Sequence, residues 1–217
     1  MNWNLVVHPQ AARSPRHHVG VSVLGPLRAT ADFWDLTYEV SGATAVRWPL
    51  VQFPRGQRRD QLWTTTCFEM FVQRGSEAAY VEWNFSPSLH WACYEFSAYR
   101  EPVVTALPKV VEPPRLEIQQ LGDVLTMKVL VRNPICNPIH NRNGQNRNGT
   151  GPPSEVNSPP TEKGTPRALG FTAVIEELDG QKFYWSLQHS APTADFHRLE
   201  NWSARFDGSE STIQDRP

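Results

Sequence analysis

LWTTTCFEMFVQRGSEAAYVEWNFSPSLHWACYEFSAYR, residues 62–100, holds ten aromatic side chains between Trp63 and Tyr99. From Thr66 to Gln73, Phe68, Met70 and Val72 fall on one side of a period-two pattern, with Cys67, Glu69 and Phe71 on the other. That alternation is the signature of a β-strand. Arg74-Gly75-Ser76 turns the chain, and Tyr80 to Phe85 gives a second strand. Ser86-Pro87-Ser88 turns it again, and His90 to Phe96 is the expected hairpin partner. Asn84 shares a face with Tyr80 and Glu82, while Trp83 lies opposite. A hairpin of this kind buries one side. Most of the ten aromatics are therefore expected in a core, with Trp83 inward and Glu82 and Asn84 toward polar surroundings.

The same period extends outward. Trp34, Leu36, Tyr38 and Val40 alternate with Asp35, Thr37 and Glu39, and Ser41-Gly42 ends the run. Val46 to Phe53 reads as a further strand, placed at an edge by Pro49. Leu116 to Ile118 and Leu125 to Val131 flank a Gly122-Asp123 turn. Leu169, Phe171, Ala173 and Ile175 form another strand. Asp179-Gly180 is a hairpin turn, and Phe183, Trp185 and Leu187 alternate on the return. No stretch sustains a helical period. The expected fold is all-β, a single antiparallel β-sandwich over 31–205. Residues 1–30, with Pro9, Pro15 and Pro26, read as an N-terminal arm and first edge strand, and 206–217 as a flexible tail. Residues 133–167 contain seven Asn, seven Pro and four Gly in 35 positions and no aromatic. Such a composition cannot offset its ordering entropy by burial, so a disordered insertion is expected there.

The chain has 217 residues, with 21 basic and 22 acidic side chains and a net charge of -1. That balance draws neither nucleic acid nor an anionic membrane by bulk electrostatics. The first residues lack a basic start followed by an apolar core, and no run is long enough to span a bilayer. Three cysteines, Cys67, Cys93 and Cys136, have no metal-type spacing. Buried free thiols and a cytoplasmic location are the expectation.

Leu62 to Val72, Tyr80 to Pro87 and Trp91 to Arg100 together resemble the DOMON-like proteins related to family 9 carbohydrate-binding modules. The resemblance returns at Leu169 to Glu177, at Tyr184 to Leu187 and at Asp195-Phe196-His197. It implies a β-sandwich. In the sugar-binding members two tryptophans clamp a terminal sugar, one of them six residues before a ligand-binding glutamate; Trp63 and Glu69 match that spacing. The next position, an amide in those members, is Met70 here. The second tryptophan maps onto Trp185. The implied function is a non-catalytic carbohydrate-binding-like module, with a mono- or oligosaccharide end as ligand.

The residues themselves leave alternatives beside that reading. Trp63, at a loop edge, offers either a flat face for the C–H side of a sugar or a cap on the sandwich end. Glu69 is either an acceptor for sugar hydroxyls or half of a structural ion pair, with Arg47 or Arg100 as partner. Asn84 lies on the polar side of the hairpin. His189, Asp195 and His197 do not make a supported metal set, and no cofactor is expected. The resemblance also implies a haem-binding alternative, since some DOMON-like relatives hold haem between a Met and a His; Met70, Met127, His90 and His189 are the side chains available for it. Glu176 and Glu177 point to opposite faces, so glycoside hydrolysis requires Glu69 with one of them. With no phosphate loop and no nucleophile elbow, an enzyme is not expected. A third reading is an interaction protein that binds a partner through 133–167.

Overall fold

The computed structural model describes residues 1–24, 33–51, 53–74, 78–103, 112–132 and 167–206. Residues 133–166 and 207–217 lie outside the described residues, and with them all but one residue each of the insertion expected at 133–167 and the tail expected at 206–217; Arg167 and Phe206 belong to strands.

Two antiparallel sheets face each other. The first contains β1 (Asn2–Asn4), β3 (His18–Leu24), β4 (Phe33–Ser41), β10 (Val124–Arg132) and β9 (Arg115–Leu121), in that order across the sheet. The second runs β2 (Val6–Val7), β12 (Lys182–Ser186), β11 (Arg167–Glu176), β5 (Cys67–Gln73), β6 (Tyr80–Phe85), β7 (Trp91–Ala98) and β8 (Glu101–Pro102). A last strand, β13 (Ala204–Phe206), pairs with β11. The fold is the antiparallel β-sandwich that the alternation called for.

The inner faces supply the core. Leu36, Tyr38 and Val40 of β4 meet Phe68, Met70 and Val72 of β5, and all six are buried. Trp83, Phe85, Phe171, Ile175, Phe183 and Trp185 complete the layer. Each such side chain contributes about 1.5–3 kcal/mol by leaving water. The Tyr38 ring stacks 4.9 Å from Phe68. Its hydroxyl donates to the Glu69 carbonyl at 2.8 Å, which satisfies the one polar atom it carries into the core. Cys67 and Cys93 are buried free thiols.

Two readings change. Among the described residues of Val46 to Phe53 there is no strand. A 3-10 turn at Ala43–Ala45 leads into this segment, and among its described residues only Val46 bridges, to Glu177. Pro49 withholds a donor where a ladder would need one. The N-terminal residues are also more than an arm with an edge strand. β1 and β2 join opposite sheets, Leu5 between them is buried, and β3 lies inside its sheet between β1 and β4. Residues 13–17 then strap the sandwich. Arg13 Nη2, the Arg16 backbone N–H and Arg16 Nε all donate to Glu177, at 2.6–2.7 Å. His17 Nδ1 lies 3.0 Å from the same carboxylate, whose side chain is fully buried.

Candidate ligand-binding cleft

Alternation on the second sheet turns a separate set of residues outward. On β5 these are Glu69 and Phe71; on β6, Tyr80, Glu82 and Asn84; on β11, Thr172 and Val174; on β12, Lys182 and Tyr184. The pairing aligns them in rows. Thr172, Glu69 and Asn84 are successive cross-strand partners, and so are Phe71, Glu82 and Tyr94. An outer sheet face is ordinarily solvated. Here the segment after β12 folds back over one end of it. Phe196 and Trp202 pack with Phe71, Tyr80 and Val174 as a second apolar cluster. Trp202 stacks 5.3 Å from Phe71 and donates its indole N–H to the Phe196 carbonyl at 2.8 Å.

What remains uncovered is a cleft of about 550 Å³. Its floor is Glu69, Glu82, Phe71 and Val174, and its walls include Trp63, Tyr94, Phe96, Tyr184, Phe196 and His197. Trp63 stands on a 3-10 turn, Leu62–Thr64, just before β5, and is 42% exposed. Its ring meets Tyr94 edge-on, 5.7 Å between centroids. Tyr94 is braced in turn, its hydroxyl donating to Asp60 at 2.8 Å. Lys182 Nζ donates to the Thr64 carbonyl at 2.5 Å and so ties the Trp63 turn to β12.

The two carboxyls are nearly closed from water, Glu69 at 3% exposure and Glu82 at 6%. Thr172 Oγ1 donates to Glu69 Oε2 at 2.8 Å, and Asn84 Nδ2 to Glu82 Oε1 at 2.6 Å. Burial, and for Glu69 the nearby Glu82, push both above the usual carboxylate range, to about 8 for Glu69 and about 7 for Glu82. At neutral pH the pair therefore retains protons and is a mixed donor and acceptor. His197 is lowered to about 4, first by burial and then by the Arg100 charge, so its ring is neutral. The Tyr80 hydroxyl lies 2.7 Å from its Nδ1, and Glu82 Oε2 lies 3.7 Å from its Nε2. Asp195 organises the turn at this end: it accepts from Tyr99 at 2.5 Å, Arg100 at 3.0 Å and Arg198 at 3.3 Å.

The structure places the residues singled out from sequence unequally. Trp63, Glu69 and Arg100 line the cleft. Asn84 is fully buried beneath it and orients Glu82. Trp185 is not at the cleft. It faces the core with Phe183, and its indole N–H donates to His17 Nε2 at 2.9 Å. Period two turns its neighbour Tyr184 outward instead, 38% exposed. Neither arginine is the partner of Glu69. Arg47 pairs with Glu176 at 3.2 Å and Arg100 with Asp195. Glu177 faces the N-terminal strap, and the carboxyl beside Glu69 is Glu82. The haem candidates do not converge: Met70 and Met127 are core residues, and His189 is bonded to the Val6 carbonyl at 3.0 Å. Among the described residues no group of three His, Cys, Asp or Glu side chains could hold a metal ion.

Fold and site together define an antiparallel β-sandwich whose second sheet carries a walled, aromatic-rimmed cleft over two buried carboxyls. Among solved structures, the chain is similar to a proposed carbohydrate-binding protein from Bacteroides uniformis ATCC 8492, with a TM-score of 0.61 and 13% identity over 95% of this chain and 85% of that one. A family 9 carbohydrate-binding module from Caldicellulosiruptor kristjanssonii, in complex with glucose, superposes with a TM-score of 0.49 and 7% identity over 97% of this chain and 88% of that one. The first of these shows a shared fold. No family model and no curated protein sequence matches the chain.

Proposed function

We propose that the chain is a non-catalytic binding module for a small sugar or a sugar end, held in the cleft over Glu69 and Glu82. One observation carries this reading: two nearly buried carboxyls at the floor of a cleft whose rim offers the exposed rings of Trp63 and Tyr184. A sugar ring presents C–H faces to aromatics and hydroxyls to acceptors, and both surfaces are available here. The rim rings supply the apolar contact. The carboxyls, partly protonated, match hydroxyls that both donate and accept. The shared fold with a proposed carbohydrate-binding protein supports the same direction.

Titration calorimetry of the full chain against a panel of mono- and disaccharides tests the reading. We expect binding by at least one sugar and a loss of about tenfold or more in Trp63→Ala, the scale of one stacked aromatic contact. Silence across the panel, or undiminished affinity in the variant, would overturn it.

A further inference from the structure

Glu69 and Glu82 lie on adjacent strands, one row apart. Glu69 is opposite Asn84, and Glu82 opposite Phe71. Each carboxyl has one oxygen satisfied by a neutral donor, Thr172 for Glu69 and Asn84 for Glu82. The second oxygen of Glu69 accepts no hydrogen bond among the described residues. The second oxygen of Glu82 has only the neutral His197 ring, at 3.7 Å. The cations that line the cleft make their hydrogen bonds to other acceptors. Arg100, which faces Glu82, is bound by Asp195, and Lys182 caps the Thr64 carbonyl. The inner cleft thus presents carboxyl lone pairs that no cation of the protein hydrogen-bonds among the described residues.

Resting on the sugar-binding reading above, we propose that the inner end of the cleft receives the ammonium group of an amino sugar, with Glu69 and Glu82 as its paired acceptors. A hydroxyl brings one hydrogen and no charge. An ammonium brings three hydrogens and the charge that a buried carboxylate lacks. Phe71 and Tyr94 flank Glu82 as its cross-strand partners on either side, and aromatic faces favour a cation over a neutral group. Without such a ligand the pair escapes its mutual repulsion by holding protons. An arriving ammonium takes over that role, so the protein releases a proton to the buffer as the complex forms.

The test compares glucosamine, N-acetylglucosamine and glucose as probes of the full chain at pH 7. Calorimetry in two buffers of different ionisation enthalpy counts the protons exchanged. Glucosamine is expected to bind about tenfold tighter than the two uncharged sugars and to release protons, as a charge-assisted contact requires. Glu69→Gln should abolish that preference. Equal affinity for the three sugars, preference for an uncharged one, or glucosamine binding without proton release would overturn the proposal and leave the sugar reading standing. If no sugar in the wider panel binds either, both readings fall together.

Discussion

At the scale of the residue, the cleft wall depends on a missing side chain. Gly170 lies on β11 beneath Trp202, and a Cβ there would fall 2.4 Å from Trp202 Cδ1 and 2.8 Å from Nε1. Only glycine lets the indole lie flat against the strand and stack on Phe71. A methyl group at this position must push Trp202 off the sheet and strain its hydrogen bond to the Phe196 carbonyl. Gly170→Ala is therefore expected to destabilise the fold by about 1–3 kcal/mol, the usual range for overpacking. Guanidinium unfolding followed by tryptophan fluorescence measures this. The same variant should weaken sugar binding, because Phe196 walls the cleft. An unchanged midpoint would mean that the 190–206 segment adapts without cost. This contact is not legible in the sequence pattern. A lone glycine in a strand pattern marks a close approach, but what approaches comes from residues 32 positions later.

At the scale of the element, local patterns were readable and long-range ones were not. Alternation in Thr66–Gln73 and Tyr80–Phe85 assigned inward and outward faces that the structure keeps. The same rule turns Tyr184 outward and Trp185 inward with Phe183, so the periodicity already argued against Trp185 as a clamp. Glu82 was legible as outward-facing, yet its closeness to Glu69 depends on the register of β5 with β6. The N-terminal strap was not legible, because its partners lie some 160 residues away in sequence. Arg13, Arg16 and His17 converge on Glu177. Burial alone would raise that carboxyl, but the hydrogen bonds it accepts from Arg13, Arg16 and His17 outweigh burial and hold it down to about 2. His17 passes the constraint on to Trp185 in the core. Glu177→Ala leaves a buried imidazole and a backbone N–H without their acceptor. We expect a loss of about 3 kcal/mol or more at neutral pH, the scale for removing one partner from a buried charged cluster. Thermal unfolding by circular dichroism gives the value, and a shift of only a degree or two would show that the strap contributes little.

At the scale of the whole molecule, these two groups of carboxyls give stability two opposed pH limbs. Glu177 is depressed in the folded state. Its contribution is present above the ordinary carboxylate range and is lost as pH falls from about 4.5 toward 2. Glu69 and Glu82 are raised, so the sign reverses. The folded state binds their protons more tightly than the unfolded chain, and the stability that this confers is lost as pH rises from about 4.5 through about 7 and 8. The unliganded protein should therefore be most stable in mildly acidic solution and weaken toward pH 9. Glu69→Gln removes one of the two alkaline ionisations while preserving an acceptor for Thr172. Relative to the parent it should gain on the order of 3 kcal/mol between pH 5.5 and 8.5, since one proton in linkage is worth about 1.4 kcal/mol per pH unit until the folded-state ionisation near 8 is passed. Unfolding midpoints of parent and variant at the two pH values decide the matter. Parallel curves would mean that Glu69 is already ionised in the folded state at neutral pH, with water or an ion in the cleft compensating its charge.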